Sequence, residues 1–288
     1  LLGFHFPGDA LPIEPQFLII EFTRTMSLNT TIIGPKFKLM RHHKLLNLDI
    51  MLGDYDEFMT EIMGLARSNG SGYVCLVNVH MFIEAQMSHP FLNVVNNATI
   101  ATPDGMPIAW ALKFLYGIKQ PRVAGMDLLP DLLARAEASE TPVFFYGSTE
   151  KMLATTRSYL HTAHPNLQVA GTVSPPFRPL TPEEEAEHVQ IINRSGAKLV
   201  FVVLGCPKQE YWMSRMTSRI NAVLIGVGGA LPVMVGEAKR APQWMQNSGL
   251  EWLFRLFQEP GRLWKRYLST NWSFIKMLVV EKFKKKNS

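Results

Sequence analysis

The stretch "KLVFVVLGCPKQE", Lys198–Glu210, decides the fold. It holds six apolar residues in a row, Leu199 to Leu204, three of them valine. A run this short reads as a strand, and a strand without polar alternation is covered on both faces. Gly205 and Pro207 then stop it, and Lys208, Gln209 and Glu210 open a polar segment that starts a helix. A doubly covered strand feeding a helix is the repeating unit of a parallel sheet.

The same alternation extends outward in both directions. "TPEEEAEHVQIINRSG" before it reads as a helix, with a Thr cap, a first-turn Pro and acidic residues near its start. "AVLIGVGG" after it is another apolar strand. Upstream, "NLDIML", "GYVCLVN", "ATIAT", "PVFFYG" and "LQVAGTV" read as strands. Between them "DYDEFMTEIMGLAR", "HMFIEAQMS", the run after Asp104 and "KMLATTRSYLHT" have helical spacing. The expected fold is α/β and Rossmann-like, a largely parallel sheet with helices on both faces. The expected organisation is an extension over residues 1–44, an α/β body over 45–250 and a basic aromatic appendage of helices over 251–288.

Composition bounds this reading. The chain has 288 residues, 47% hydrophobic and 18% charged, enough to bury a core and unlike a disordered chain. The longest apolar helix candidate, "MPIAWALKFLYGI", is broken by Lys113, so no membrane span is expected. Two distant cysteines, Cys75 and Cys206, make no disulfide framework and suit a reducing cytoplasm. No signal-peptide pattern stands out in the first 40 residues. The net charge is +5, yet residues 255–288 alone carry nine Lys/Arg against two Glu, so the body is slightly acidic. That tail mixes its cations with Trp252, Phe254, Phe257, Trp264, Tyr267, Trp272 and Phe274. Aromatic and basic residues at helical spacing suit an anionic bilayer surface. A plain helical hairpin and a nucleic-acid patch are the competing readings, and nucleic acid is not expected.

In such folds ligands sit beyond the C-terminal strand ends. Here those ends carry "VNVH", "TPDG", "YGS", "GCPKQE" and "GVGGA". Asp104, between Pro103 and Gly105, is either a general base or a helix N-cap. Even as a cap it would be held ionised and aimed by a helix N-terminus. Asn78 is either a sugar or phosphate contact or a cap, and His80 reads as structural. Arg122 can fork onto a diphosphate, with Asp127 as a cap or its orienting partner. Lys208 and Gln209 project at a helix start, where anions are favoured. Gly147 with Ser148, Gly205, and Gly228 with Gly229 offer close backbone approach to a substrate. "GVGGA" is not a full dinucleotide fingerprint, since Leu231 stands where the last glycine belongs.

Order and spacing unite these pieces. "VNVHMFIEA", "TPDGMPIAWALK", "RVAGMDLLPDLL", "VFFYGS", "LGCPKQEYWM" and "GVGGALPVMVGEAKRAPQWMQNSGLEWLFRLFQEPGRLWKRYL" follow one another over about Leu48–Leu268. Together they resemble the WecG/TagA/CpsF family of bacterial glycosyltransferases. The resemblance implies an inverting transfer of a sugar from a UDP-sugar to a polyprenyl-diphosphate-linked sugar, in cell-surface polysaccharide or teichoic-acid synthesis. N-acetylmannosamine, its uronic acid and glucose are the sugars it suggests. It implies a peripheral protein on the inner face of the cytoplasmic membrane, with self-association possible. Asp104 takes the position of the proposed base, and Asn78, Arg122 and Gln209 take the other motif positions. Arg255, Arg262 and either Lys265 or Arg266 would meet the lipid diphosphate. No metal or cofactor is expected, and no metal-binding Asp-x-Asp. Two positions depart from the pattern: Leu76 where many members have Thr, and Pro232 where many have an acid. The rival readings are a nucleotide-dependent oxidoreductase built on "GVGGA" and a non-catalytic scaffold in which Asp104 only caps.

Overall fold

A computed structural model describes residues 40–286; residues 1–39 lie outside it. The chain opens with strands β1 (Arg41–Leu45) and β2 (Leu48–Leu52), then helix α1 (Tyr55–Arg67). There follow β3 (Gly72–Val77), α2 (Val79–Met87), α3 (His89–Asn96), β4 (Ile100–Pro103), α4 (Met106–Tyr116) and α5 (Gly125–Ala138). The next elements are β5 (Val143–Gly147), α6 (Glu150–Ala163), β6 (Val169–Val173), α7 (Pro182–Arg194), β7 (Leu199–Val203) and α8 (Lys208–Met216). The chain then runs through β8 (Val223–Gly226), α9 (Ala230–Met234), α10 (Gln243–Asn247), α11 (Glu251–Gln258) and α12 (Pro260–Lys286).

Six strands form one sheet in the order β4-β3-β8-β7-β5-β6, and every neighbouring pair is parallel. The apolar runs explain the layers. Tyr73, Cys75, Val77, Phe144, Tyr146, Val200, Val202 and Leu224 face one core, with Phe82, Leu112, Ile192, Met213 and Phe274 from the helices. The residues between them, Val74, Leu76, Val143, Phe145, Leu199, Phe201, Val223 and Ile225, face the other, with Phe58, Leu129 and Leu153. Alternation by one residue fills two cores, as a doubly covered strand must. The α/β fold with a parallel sheet wrapped by helices is as the sequence predicts.

Helix ends follow local chemistry. Thr181 caps α7 and, with Glu184, forms a reciprocal capping box; Asp54 and Glu57 do the same for α1. β2 is the strand expected at "NLDIML", but its pairing into a hairpin with β1, and helix α3, carry no clear sequence signal. The hairpin β1–β2 turns through Leu46 and Asn47, without the Asn-Gly pair that marks such turns. Leu46 sits at φ 55°, and its N–H donates to the Tyr116 hydroxyl at 3.1 Å, so distant structure holds the turn. Helix α3 is short and capped only by the Ser88 side chain. In the tail, Phe274 of α12 packs edge-on against Phe82 of α2, with ring centres 5.2 Å apart. The Lys282 ammonium donates to the Phe114 carbonyl at 2.7 Å and lies over its ring.

Candidate active site

Because the sheet is parallel, Asn78, Asp104, Gly228, Gly205 and Gly147 all lie at its C-terminal edge, after β3, β4, β8, β7 and β5 respectively. β3 and β8 are neighbours although one opens and the other closes the sheet's chain order. The crevice beyond them is where a ligand of such a sheet binds.

Asn78 caps α2, its Oδ1 accepting the Met81 N–H at 3.1 Å. Its Nδ2 donates to Asp104 Oδ2 at 3.4 Å. The other Asp104 oxygen accepts the Gly125 N–H, at the start of α5, at 3.3 Å. Asp104 therefore does not cap the helix that follows it: Gly105, at φ 90°, is the N-cap of α4 and offers no side chain. Asp104 accepts instead from the first N–H of another helix, α5. Nor does the helix end win electrostatically. Burial pushes the Asp104 carboxyl up to about 6 and the Glu251 charge adds to this, against Gly125, Asn78 and Arg255, which pull it down. Leu76, where a Thr was looked for, packs beneath: a Cβ on Gly125 would lie 2.8 Å from Leu76 Cδ1.

Arg122 has the partner expected of it. Its guanidinium lies 3.3 Å from Asp127 Oδ2, and also 3.4 Å from Glu251 Oε2 and 3.3 Å from Gln246 Oε1. Arg240 meets the same two carboxylates, at 2.5 Å from Asp127 and 3.9 Å from Glu251. Arg255, one turn beyond Glu251, donates to the Gly229 carbonyl at 3.5 Å, and a Cβ on Gly229 would press on its guanidinium. Arg240, Gln246 and Glu251 are thus neighbours of the site that the motif reading did not select. The only signal for Arg240 is its place in "GEAKRAPQW", just before a Pro-started helix.

Gln209 lies elsewhere. It is buried, its Oε1 accepting the Gly205 N–H at 3.1 Å and its Nε2 donating to Glu210 Oε1 at 2.7 Å. A Cβ on Gly226 would fall 2.8 Å from Gln209 Nε2. Gln209 therefore braces the two glycine turns after β7 and β8 from beneath. Burial pushes the fully enclosed Glu210 carboxyl up to about 7. Lys208 is exposed at the start of α8. Gly147 and Ser148 end β5, four strands from β4, a separation of about 19 Å at ~4.8 Å per strand. A Cβ on Gly147 would strike the Val203 carbonyl at 2.5 Å, so this glycine is needed for the sheet edge itself. Lys265 is exposed beside the Trp264 ring; the side chains of Arg262 and Arg266 lie outside the described ones. The sequence does contain one Asp-x-Asp string, Asp54–Asp56, contrary to expectation. Its aspartates are spent structurally: Asp54 caps α1 and Asp56 pairs with Arg135.

A parallel α/β sheet with a carboxylate and several guanidinium groups beyond its strand ends defines an enzyme framework for anionic ligands. Residues 43–288 match the model of the glycosyl transferase WecG/TagA/CpsF family. A Bacillus spizizenii protein named N-acetylglucosaminyldiphosphoundecaprenol N-acetyl-beta-D-mannosaminyltransferase is 31% identical over 202 residues, covering 70% of this chain and 76% of that one. The chain belongs to the WecG/TagA/CpsF glycosyl transferase family.

Proposed function

We propose that the chain is an inverting glycosyltransferase that moves a sugar from a UDP-sugar to a polyprenyl-diphosphate-linked sugar at a membrane surface. The observation that carries this reading is Asp104. Its carboxyl, half-buried at a strand end and pushed up to about 6, is ionised at neutral pH yet basic enough to accept a proton. In the transfer the acceptor hydroxyl oxygen bonds to the anomeric carbon as the bond to the diphosphate oxygen of UDP breaks. The hydroxyl proton passes to Asp104, and UDP departs with the bonding pair. One carboxylate suffices, where a glycosidase uses two. Asn78 and the Gly125 N–H aim the base, and Arg122 offsets charge growing on the leaving group.

The name of the Bacillus relative supports a diphosphoundecaprenol-linked acceptor and puts N-acetylmannosamine first among the candidate sugars. Two surfaces support work at a bilayer. Met106, Ala109, Trp110 and Pro121 line an apolar cavity of about 300 Å³ rimmed by Lys113 and Lys119, close in the chain to Asp104 and Arg122. On α12, Trp264, Leu268, Trp272, Ile275, Val279 and Phe283 are exposed at steps of three or four residues. That stripe suits the inner face of the cytoplasmic membrane, with exposed Lys265, Lys276 and Lys284 near anionic headgroups. No helix among the described residues is long and apolar enough to cross a membrane.

The test is a donor screen with purified chain, a panel of UDP-sugars and a short-chain lipid-diphosphate acceptor. Transfer from UDP-N-acetylmannosamine is expected, with Asp104→Asn near background. Wild-type rates in that variant would remove Asp104 as the base, and consumption of no UDP-sugar would remove the whole reading.

A further inference from the structure

Arg122 and Arg240 sit 118 positions apart in sequence and share both of their carboxylates. Asp127 bridges them through its two oxygens, Oδ2 to Arg122 at 3.3 Å and Oδ1 to Arg240 at 2.5 Å. Glu251 bridges them too, Oε2 to Arg122 at 3.4 Å and Oε1 to Arg240 Nε at 3.9 Å. The four groups close a ring of alternating charge. The two bridges differ in quality. A charge-assisted N–H···O bond spans about 2.7–2.9 Å; both Arg122 contacts are longer, at 3.3 and 3.4 Å, and of the two Arg240 contacts only that to Asp127 is short. Arg240 Nε and Glu251 Oε1 are out of water and neither has a hydrogen-bond partner. An unmade buried bond on a charged group is costly. The difference between the two carboxylates therefore lies at Arg240, which has a short contact to Asp127 and a long, unmade one to Glu251.

We propose that Arg122 and Arg240 form a paired-guanidinium site for a diphosphate ester, and that Glu251 is the internal anion its phosphate oxygens displace. The ligand class rests on the glycosyltransferase reading; Arg240 and the displacement of Glu251 go beyond it. With Glu251 in place the ring is neutral and has no net attraction for an anion. With Glu251 displaced, two guanidinium groups face one remaining carboxylate, and the pair carries net positive charge toward the crevice. Two planar forks can take oxygens from both phosphates at once, which a single Arg or a Lys cannot. Asp127 stays behind as the partner that keeps both forks aimed. Glu251 is also the first residue of α11, whose Arg255 reaches Gly229, so its displacement frees the first turn of that helix to adjust around the ligand.

Calorimetric titration of the full chain with UDP, UMP and farnesyl diphosphate tests this. Arg240→Ala should weaken diphosphate binding about 10-fold or more and leave UMP nearly unchanged. Arg240→Lys, which keeps the charge and loses the fork, should show most of that loss. Glu251→Gln, near in shape and uncharged, should tighten diphosphate binding, a gain that a merely structural ring would not give. Loss confined to UDP assigns the site to the donor, and loss confined to farnesyl diphosphate assigns it to the acceptor. Wild-type affinity in both Arg240 variants, or weaker binding in Glu251→Gln, overturns the proposal while leaving the glycosyltransferase reading intact. A wild-type chain that binds neither diphosphate overturns both.

Discussion

The C-terminal edge of the sheet and the outer face of α12 break the same rule in opposite directions. At the sheet edge, Asp104 is held by Asn78 and Gly125, and Arg122 and Arg240 are held by Asp127 and Glu251. Along α12, Trp272 is 70% exposed and Phe283 64% exposed, and Lys265 and Lys276 are exposed on the same helix. A folded chain gains by hiding apolar surface and by leaving charge in water. Each region gives up part of that gain, a departure that the proposed function would account for. On the proposed function the two regions would divide two tasks: proton and phosphate chemistry at the edge, adhesion on the helix.

The sharpest way to break the comparison is to disable one region and watch the other. Asp104→Asn should cut transfer by about 10²–10⁴-fold, equally with acceptor in detergent and in vesicles, and leave vesicle co-sedimentation unchanged. A vesicle-specific defect would blur the division. The combined Trp272→Glu and Phe283→Glu variant changes only exposed positions. It should weaken sedimentation with anionic vesicles by about 100-fold, from the loss of two buried aromatics, yet keep transfer to a detergent-soluble acceptor. Equal vesicle binding would refute adhesion by this face.

A smaller effect is a pH signature that only the inward-turned groups can give. Glu210 is raised from 4.5 to about 7, and Asp104 from 3.8 to about 6. Between the unfolded and folded values the native chain holds more protons than the unfolded one. Stability is therefore highest below about 4.5 as far as these groups go, falls as pH rises through the window, and levels off above about 7. Glu210→Gln keeps an acceptor for Gln209 and removes the titration. It should be more stable than wild type by about 1–3 kcal/mol at pH 8, with little or no gain at pH 4.5. Thermal melts at the two pH values read this directly, and a parallel shift of both would contradict it. The transfer rate carries a second limb, falling below pH about 6 as Asp104 takes up its proton.

Much of the fold was legible because the apolar runs are unambiguous. Leu199–Val203 could bury both faces only in a covered parallel sheet, and the cores on either side divide its residues one by one. Of the hairpin at Arg41–Leu52 only the second strand was legible; its turn is held by Tyr116 and not by its own residues. At the candidate site the strand-end placement of Asp104 and Asn78 was legible, as was the capping of α2 by Asn78. Roles set by long-range pairing were hidden. Nothing local in "GEAKRAPQW" or "GLEWLF" says that Arg240 and Glu251 meet Arg122. Gln209 looked like a group at a helix start, yet the buried Glu210 beside it draws its amide inward beneath the glycine turns. Asp104 looked like a cap for its own helix and is one for α5, a distinction that depends on how the crevice closes.

The adjacency of β3 and β8 also has a meaning in time. β8 lies between β3 and β7, so the last sheet strand in the chain is a middle strand of the sheet. Until Val223–Gly226 emerges from the ribosome, the nascent chain can pair β3 with β4 and β7 with β5 and β6, leaving two part-sheets with unpaired inner edges. Inserting β8 joins them over about 150 residues of intervening chain, a slow, long-range step. The same step sets the turn after β8 next to the end of β3 at the sheet edge. A chain caught before it exposes two sticky edges and has no site; competence to bind and safety from aggregation arrive together.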